Sequence, residues 1–298
     1  MAWNITEGEI LNMKQRIISA AIGIALFITV MFANSVPFVF NAVISIVAVM
    51  AIWELFVATK YVSNKPLLIT CMAFAAIVPF FRDPYFNLAS KTSCFLFIFI
   101  LFIIMIKNKD SLRMEQIGLV FMMCTLIPFS FSSLIYLRDL SLDPHMHLWR
   151  RDGVFLVILA AIGAWIADAG AYFVGKAFGK HKLSPEISPN KTVEGFVGGI
   201  VFNMVAFVVA CIAFQLYDHS VAFNYPLLLI LAIFCACAGT VGDLAASFIK
   251  RSCHIKDFGR IMPGHGGVLD RFDSMLMVAP LLYVVLQILQ PIYPLIIR

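Results

Sequence analysis

Charge is scarce in this 298-residue chain, and the shortage excludes more than any single motif does. Charged residues make up 13% and hydrophobic ones 61%, where an ordinary soluble domain carries roughly 25% charged residues. That excludes a string of soluble domains and predicts a polytopic membrane protein built as one helical bundle. The basic residues lie in short loops and form no long tract, so nucleic acid is not an expected partner. The seven cysteines include no C-x-x-C pair, and six of them lie inside apolar runs, where thiols serve as small hydrophobes. Cys253-His254 lacks further ligands at zinc spacing. Neither a G-x-S-x-G elbow nor a Ser-His-Asp order occurs, which disfavours acyl hydrolysis. The stretch Gly179-Lys180-His181-Lys182-Leu183-Ser184 does not have the spacing of a Walker loop. Internal repeats and low-complexity linkers are missing too.

What the chain has is apolar length. Nine runs approach the span of a bilayer: Ile17–Ala33, Val36–Thr59, Pro66–Phe81, Thr92–Ile106, Ile117–Leu137, Gly153–Phe178, Val193–Tyr217, Tyr225–Ile249 and Met275–Ile297. The fold class expected is all-α, a transmembrane bundle of about nine helices. The first run is read as an uncleaved span rather than a signal peptide. The third and fourth are short enough to be tilted or interfacial, and Pro128 is expected to kink the fifth. With the amino terminus inside and each run crossing once, 16 of the 22 Lys and Arg fall inside and six outside. That bias orients the amino terminus and the two polar loops, 179–192 and 250–274, toward the cytoplasm.

The stretch from Gly242 to Ser274 carries four acidic and five basic residues between two apolar runs. Asp243, Ser247, Lys250 and Arg251 share one helical face. They would put an acid, a hydroxyl and two cations at the end of a span. Lys250 and Arg251 alone read as ordinary flanking charge, but Asp243, deeper in the run, does not. Lys256-Asp257 follows, then Pro263-Gly264-His265-Gly266-Gly267, whose glycine amides could form an anion-binding nest. His265 has three open roles: binding phosphate, shuttling a proton, or holding the loop. Asp270 and Asp273, flanking Arg271, lie three apart at the start of the last run, where a helix dipole also favours acids. Carboxylates converging from two helices at a wet end suit Mg²⁺, which takes one or two of them, with waters and phosphate oxygens completing its shell.

A second constellation lies upstream. Asp168, Tyr172 and Lys176 form a stripe of every fourth residue. Lys191 stands just before a helix start, where free amides attract phosphate. Glu194 suits the dipole there, and Lys180 and Lys182 read as topology signals. Glu54, within the second run, reads as a structural acid near a helix end. Together the parts describe phosphoryl or nucleotidyl transfer, in which positioning and charge neutralisation do most of the work. Their place at a membrane face argues for one lipid and one soluble substrate.

The run Ser247-Phe248-Ile249-Lys250-Arg251, Lys256-Asp257, Pro263-Gly264-His265-Gly266-Gly267 and Asp270-Arg271-Phe272-Asp273-Ser274 closely resembles the signature of the phosphatidate cytidylyltransferases, or CDP-diglyceride synthases. Asp168, Tyr172, Gly175-Lys176 and the segment from Ser188 to Gly195 are also similar to that family. The likeness covers about Asp168–Ser274; the amino-terminal half shares only apolar helices. Ala246 departs from the pattern, where many bacterial members carry Glu. The resemblance implies that CTP and phosphatidate give CDP-diacylglycerol and pyrophosphate with Mg²⁺. It also implies a second, monovalent cation, a homodimer and a place in the bacterial inner membrane. Residues 1–150 would be scaffold, dimer or lipid-facing helices, and 151–298 the catalytic bundle. On that expectation Asp243 and Asp270 hold the metal, with Asp168 and Asp273 as alternates. Lys191, Lys250 and Arg251 neutralise phosphates, joined by Lys176, Lys256 and Arg271; Ser247 and the Gly264–Gly267 loop with His265 position them. A CTP-dependent lipid kinase, which would release CDP, and a cation-coupled transporter share parts of the pattern.

Overall fold

Most of the length of the apolar runs becomes helix within the described residues. The structure, a computed structural model, describes residues 21, 23, 25–31, 37–60, 64–81, 88–109, 112–259, 261 and 266–297, without the side chains of 37, 88 and 89. Residues 25–31 are helical; residues 17–20, 22, 24, 32 and 33 of the first expected span lie outside the described residues. The contacts divide the chain into two compact units. One takes the described residues within Met1–Phe81, Phe86–Thr125 and Cys253–Phe272, and the other those within Arg82–Tyr85, Leu126–Ser252 and Asp273–Arg298.

The first unit contains α1 (Pro37–Thr59), α2 (Lys65–Ile77), α3 (Leu88–Lys107) and the first half of α4 (Met114–Asp139). Helix α1 buries Phe40, Ile44, Ala48, Ala51, Ile52 and Leu55, a three-and-four spacing that makes one face. That face packs on α2, and the Ser45 hydroxyl donates to the Ala76 carbonyl at 2.8 Å. Asn64 caps α2 by accepting from the Leu67 amide, Pro66 fits its first turn, and Pro79 closes it as a short 3₁₀ turn. Phe74 of α2 stacks on Phe97 of α3 with centroids 4.2 Å apart. The rest of α3 turns Phe95, Phe99, Phe102 and Ile106 outward. An apolar surface of that kind suits hydrocarbon, not water.

The second unit contains the end of α4, then α5 (Arg150–Phe178), α6 (Val193–Tyr217), α7 (Tyr225–Ser252) and, after the short α8 (Leu269–Phe272) that belongs to the first unit, α9 (Met275–Leu289). Helices α5 and α6 are the most extensively packed pair. Small residues make this possible: a Cβ on Gly198 would lie 2.5 Å from the Val174 side chain, and one on Gly199 2.7 Å from the Ala167 carbonyl. Asn203, fully buried on α6, donates to the Ala232 carbonyl of α7 at 2.8 Å.

Among the described residues six helices are long and apolar enough to cross a membrane, and two shorter apolar ones are Lys65–Phe80 and Met275–Leu289. The fourth expected run reaches spanning length as Ser90–Lys107. The last run does not continue as helix to Ile297. Pro291 and Pro294 supply no amide to extend it, and Gln290 takes over, accepting from the Leu295 amide and donating to the Ile296 carbonyl, both at 2.8 Å. The all-α bundle fits the described residues, with two small antiparallel pairings added. An antiparallel hairpin of β1 (Lys182–Ser184) and β2 (Ser188–Thr192) joins α5 to α6, and β3 (Ala222–Phe223) pairs with β4 (Ile296–Ile297). Helix α4 continues through Pro128, whose carbonyl accepts from the Ser132 hydroxyl at 2.8 Å.

Candidate active site

In the second unit, charged groups gather where apolar helices end. Helix α5 supplies Asp168; the β2–α6 junction supplies Lys191; α7 supplies Asp243, Ser247 and Lys250; the turn before α9 supplies Asp273 and Ser274. Lys191 reaches Asp243 across 52 positions, with its Nζ 2.6 Å from Oδ2. Their side chains are 22% and 27% exposed, so the pair is not sealed inside the protein. The Ser247 hydroxyl sits 3.3 Å from the other oxygen of Asp243 and donates to it. The Ser274 hydroxyl donates to Asp168 Oδ2 at 2.7 Å, and its amide donates to Asp273 Oδ1 at 2.8 Å.

Asp273 is the most perturbed of these acids and is only 8% exposed. Burial pushes its carboxyl up to about 7, and the Asp243 charge pushes the same way. Lys250 and the Ser274 amide pull it down, while Asp168 adds to the rise. Helix α7 comes this close because residue 242 is glycine: a Cβ there would lie 2.5 Å from the Asp273 carbonyl oxygen. A buried carboxyl that resists ionising beside the Asp243 charge, with lysines near it, forms a site suited to cations and phosphates.

Lys191 is held by backbone on both sides. It is the last but one residue of β2, and the last, Thr192, caps α6 by accepting from the Gly195 amide at 3.1 Å. Arg251 is exposed, and its Nε lies 3.5 Å from the Ile187 carbonyl in the hairpin turn. Lys176 is exposed, with its ammonium 5.9 Å from the centroid of the Tyr172 ring.

The remaining site residues of the sequence reading belong to the first unit. Asp270, 8% exposed, accepts at Oδ2 from the amides of Phe258 (2.8 Å) and Gly267 (3.0 Å). Gly266 has φ +86°, a conformation that glycine alone adopts freely. Lys256 and Arg271 are exposed. Gly264 and His265 lie outside the described residues. Among the described residues, no three His, Cys, Asp or Glu side chains are gathered into a metal cage.

Sequence reasoning missed three contacts. It took Lys191 as a phosphate ligand and Asp243 as a metal ligand without pairing them. It left Ser274 without a partner. And it read Glu54 as a structural acid near a helix end without naming its donors; Glu54 is 1% exposed and both its oxygens accept backbone amides, from Val268 and Leu269, each at 2.9 Å. The signal for the last was present: an acid well inside an apolar run needs donors from elsewhere, and a glycine-rich loop offers amides.

The arrangement defines a class, a multi-pass membrane protein with an acid–lysine centre at its helix ends. Comparison with known proteins narrows that class. The model of the cytidylyltransferase family matches residues 14–289. A phosphatidate cytidylyltransferase of Bacillus subtilis is 36% identical over 280 residues, covering 92% of this chain and 98% of that protein. One of Staphylococcus aureus is 32% identical over 278 residues, covering 92% and 99%. One of Staphylococcus haemolyticus is 44% identical over 142 residues, covering 48% and 53%. The chain belongs to the cytidylyltransferase family.

Proposed function

We propose that this chain transfers the cytidylyl group of CTP to phosphatidate, giving CDP-diacylglycerol and pyrophosphate. Family membership over nearly the whole chain supports the chemistry. The observation that carries the site is the partly exposed Lys191–Asp243 pair beside buried Asp273. A phosphatidate phosphate oxygen attacks the α-phosphorus of CTP. A new P–O bond forms, the bond from that phosphorus to the bridging α–β oxygen breaks, and pyrophosphate leaves with the electron pair. The attacking oxygen is already ionised near neutral pH, so no general base is required. Lys191, Lys250 and Arg251 neutralise the crowded phosphates, and Ser247 holds Asp243 in place.

The donor set suits Mg²⁺: Asp243 and Asp273 are hard oxygen donors whose mutual repulsion a divalent cation relieves. When bound, Mg²⁺ supplies charge neutralisation at the phosphates. Asp168 supports this site through Ser274. A monovalent second cation and a homodimer belong to the proposal on the family resemblance. So do nine crossings with the amino terminus in the cytoplasm, supported by the 16-to-6 distribution of basic residues. Bacterial relatives support placement in the inner membrane.

The test uses purified protein in lipid-containing micelles with phosphatidate, Mg²⁺ and CTP labelled at the α- or γ-phosphate, with ATP, UTP and GTP as competitors. Transfer of the α-label to lipid, release of pyrophosphate and loss of turnover in EDTA are expected. A γ-label in the lipid with release of CDP would overturn the proposal in favour of a lipid kinase.

A further inference from the structure

A carboxylate is costly inside an apolar helix unless donors surround it. Glu54 of α1 is buried to 1% exposure, and what surrounds it is backbone. Its Oε1 accepts from the Val268 amide and its Oε2 from the Leu269 amide. Gly259 and Gly267 face the same carboxylate so closely that a Cβ on either would collide with it. Backbone on each side of the acid therefore lies against it, and glycine is required at those two positions because the acid fills the space. Asp270 repeats the device from within the loop, drawing the Phe258 and Gly267 amides onto one oxygen. Four consecutive amides, from Gly267 to Asp270, begin the segment that carries Asp270 and Arg271. Three of the four have carboxylate acceptors supplied by the protein itself.

We propose that Glu54 is the positioning residue of the backbone at 258–259 and 266–270: an internal anion, contributed by a helix more than 200 positions upstream in sequence, that fixes these residues and with them Asp270 and Arg271. The amides of Gly267, Val268 and Leu269 are then committed to holding this shape and do not bind substrate phosphate. The inference rests on the cytidylyltransfer reading for its kinetic consequence, not for its structural one.

Two measurements test it. Amide hydrogen exchange of the detergent-purified full chain compares wild type with Glu54→Gln, which replaces one acceptor by a donor. Peptides covering residues 266–270 should exchange at least 10-fold faster in the variant, while those from α6 and α7 are unchanged. Exchange equal to wild type in 266–270 overturns the proposal, and because this readout needs no substrate it stands even if CTP proves not to be used. The second measurement is a size exchange, which also covers the case in which Glu54→Gln fails to fold. Gly267→Ala should lower kcat/KM for CTP 10- to 100-fold, chiefly by raising KM for CTP and leaving KM for phosphatidate within threefold. Glu54→Asp, one methylene shorter, should recover at least a third of the loss when combined with Gly267→Ala. A smaller folded fraction would move neither KM and would not be rescued by shortening the acid. Gly267→Ala with wild-type kinetics, or a double variant no better than the single, refutes the clamp.

Discussion

Replacing Asp273 by Asn should raise stability and abolish activity in the same molecule. Asp273 is 8% exposed, and burial together with the Asp243 charge lifts its carboxyl from 3.8 to about 7. In the unfolded chain that carboxyl ionises near its ordinary value, so between pH 4 and 7 the folded state binds the proton more tightly. The stability linked to this group is therefore complete below the unfolded value and is lost as pH rises through 7. Above pH 7 the folded protein carries an ionised, buried and repelled carboxylate. At about 1.4 kcal/mol for each tenfold change in proton affinity, the rise from 3.8 to about 7 corresponds to at most about 4 kcal/mol. Asn is nearly isosteric, can keep the acceptor for the Ser274 amide, and carries no charge. In detergent with EDTA at pH 8, Asp273→Asn should melt several degrees above wild type, and the gap should close as pH falls toward 4. Saturating Mg²⁺ should stabilise wild type and leave the variant unmoved, while CDP-diacylglycerol formation falls at least 100-fold. A variant that melts below wild type at pH 8, or that turns over normally, would refute both the electrostatic account and the metal assignment.

Lys191→Ala should raise KM for CTP about tenfold, a change worth about 1.4 kcal/mol. It should alter the melting point little, since partly exposed pairs such as Lys191–Asp243 contribute about 0–1 kcal/mol; an unchanged KM would remove Lys191 from the phosphate site. Gly198→Ala should destabilise by about 1–3 kcal/mol through overpacking against Val174, and adding Val174→Ala should restore the melting temperature if the α5–α6 contact is the cause. Asn203→Ala should cost about 1 kcal/mol through the lost bond to the Ala232 carbonyl without changing either KM; an altered KM would mean that the bond shapes the site.

Hydrophobic periodicity was enough to locate most of the helices, because one apolar run of bilayer length has few other ways to satisfy its backbone. It failed where side chains replaced helix geometry. At the carboxyl end, Gln290 takes over the backbone groups that Pro291 and Pro294 cannot serve. The hairpin at 182–192 escaped notice because its strands are short and polar and one contains Pro189. At the site, residue types were legible and partnerships were not. Nothing in local spacing tells that Lys191 will meet Asp243 or that Ser274 will meet Asp168, because those contacts arise only once α5, α6 and α7 have packed. Glu54 is the plainest case, since its donors lie in a loop whose glycines read from sequence as a place for substrate anions.

The junction between β2 and α6 limits how homologous chains can vary in length. Thr192 is wedged where a Cβ on Gly175 would come within 3.0 Å of its hydroxyl and one on Gly179 within 2.8 Å. A residue added at the hairpin tip, 185–187, would lengthen a solvent turn and leave Lys191 where it stands. The same residue added after Thr192 would turn everything beyond it by about 100° around the helix axis and carry Gly195, Gly198 and Gly199 off the seam with α5. Natural length differences should therefore collect at the tip and be missing from the few residues that follow it.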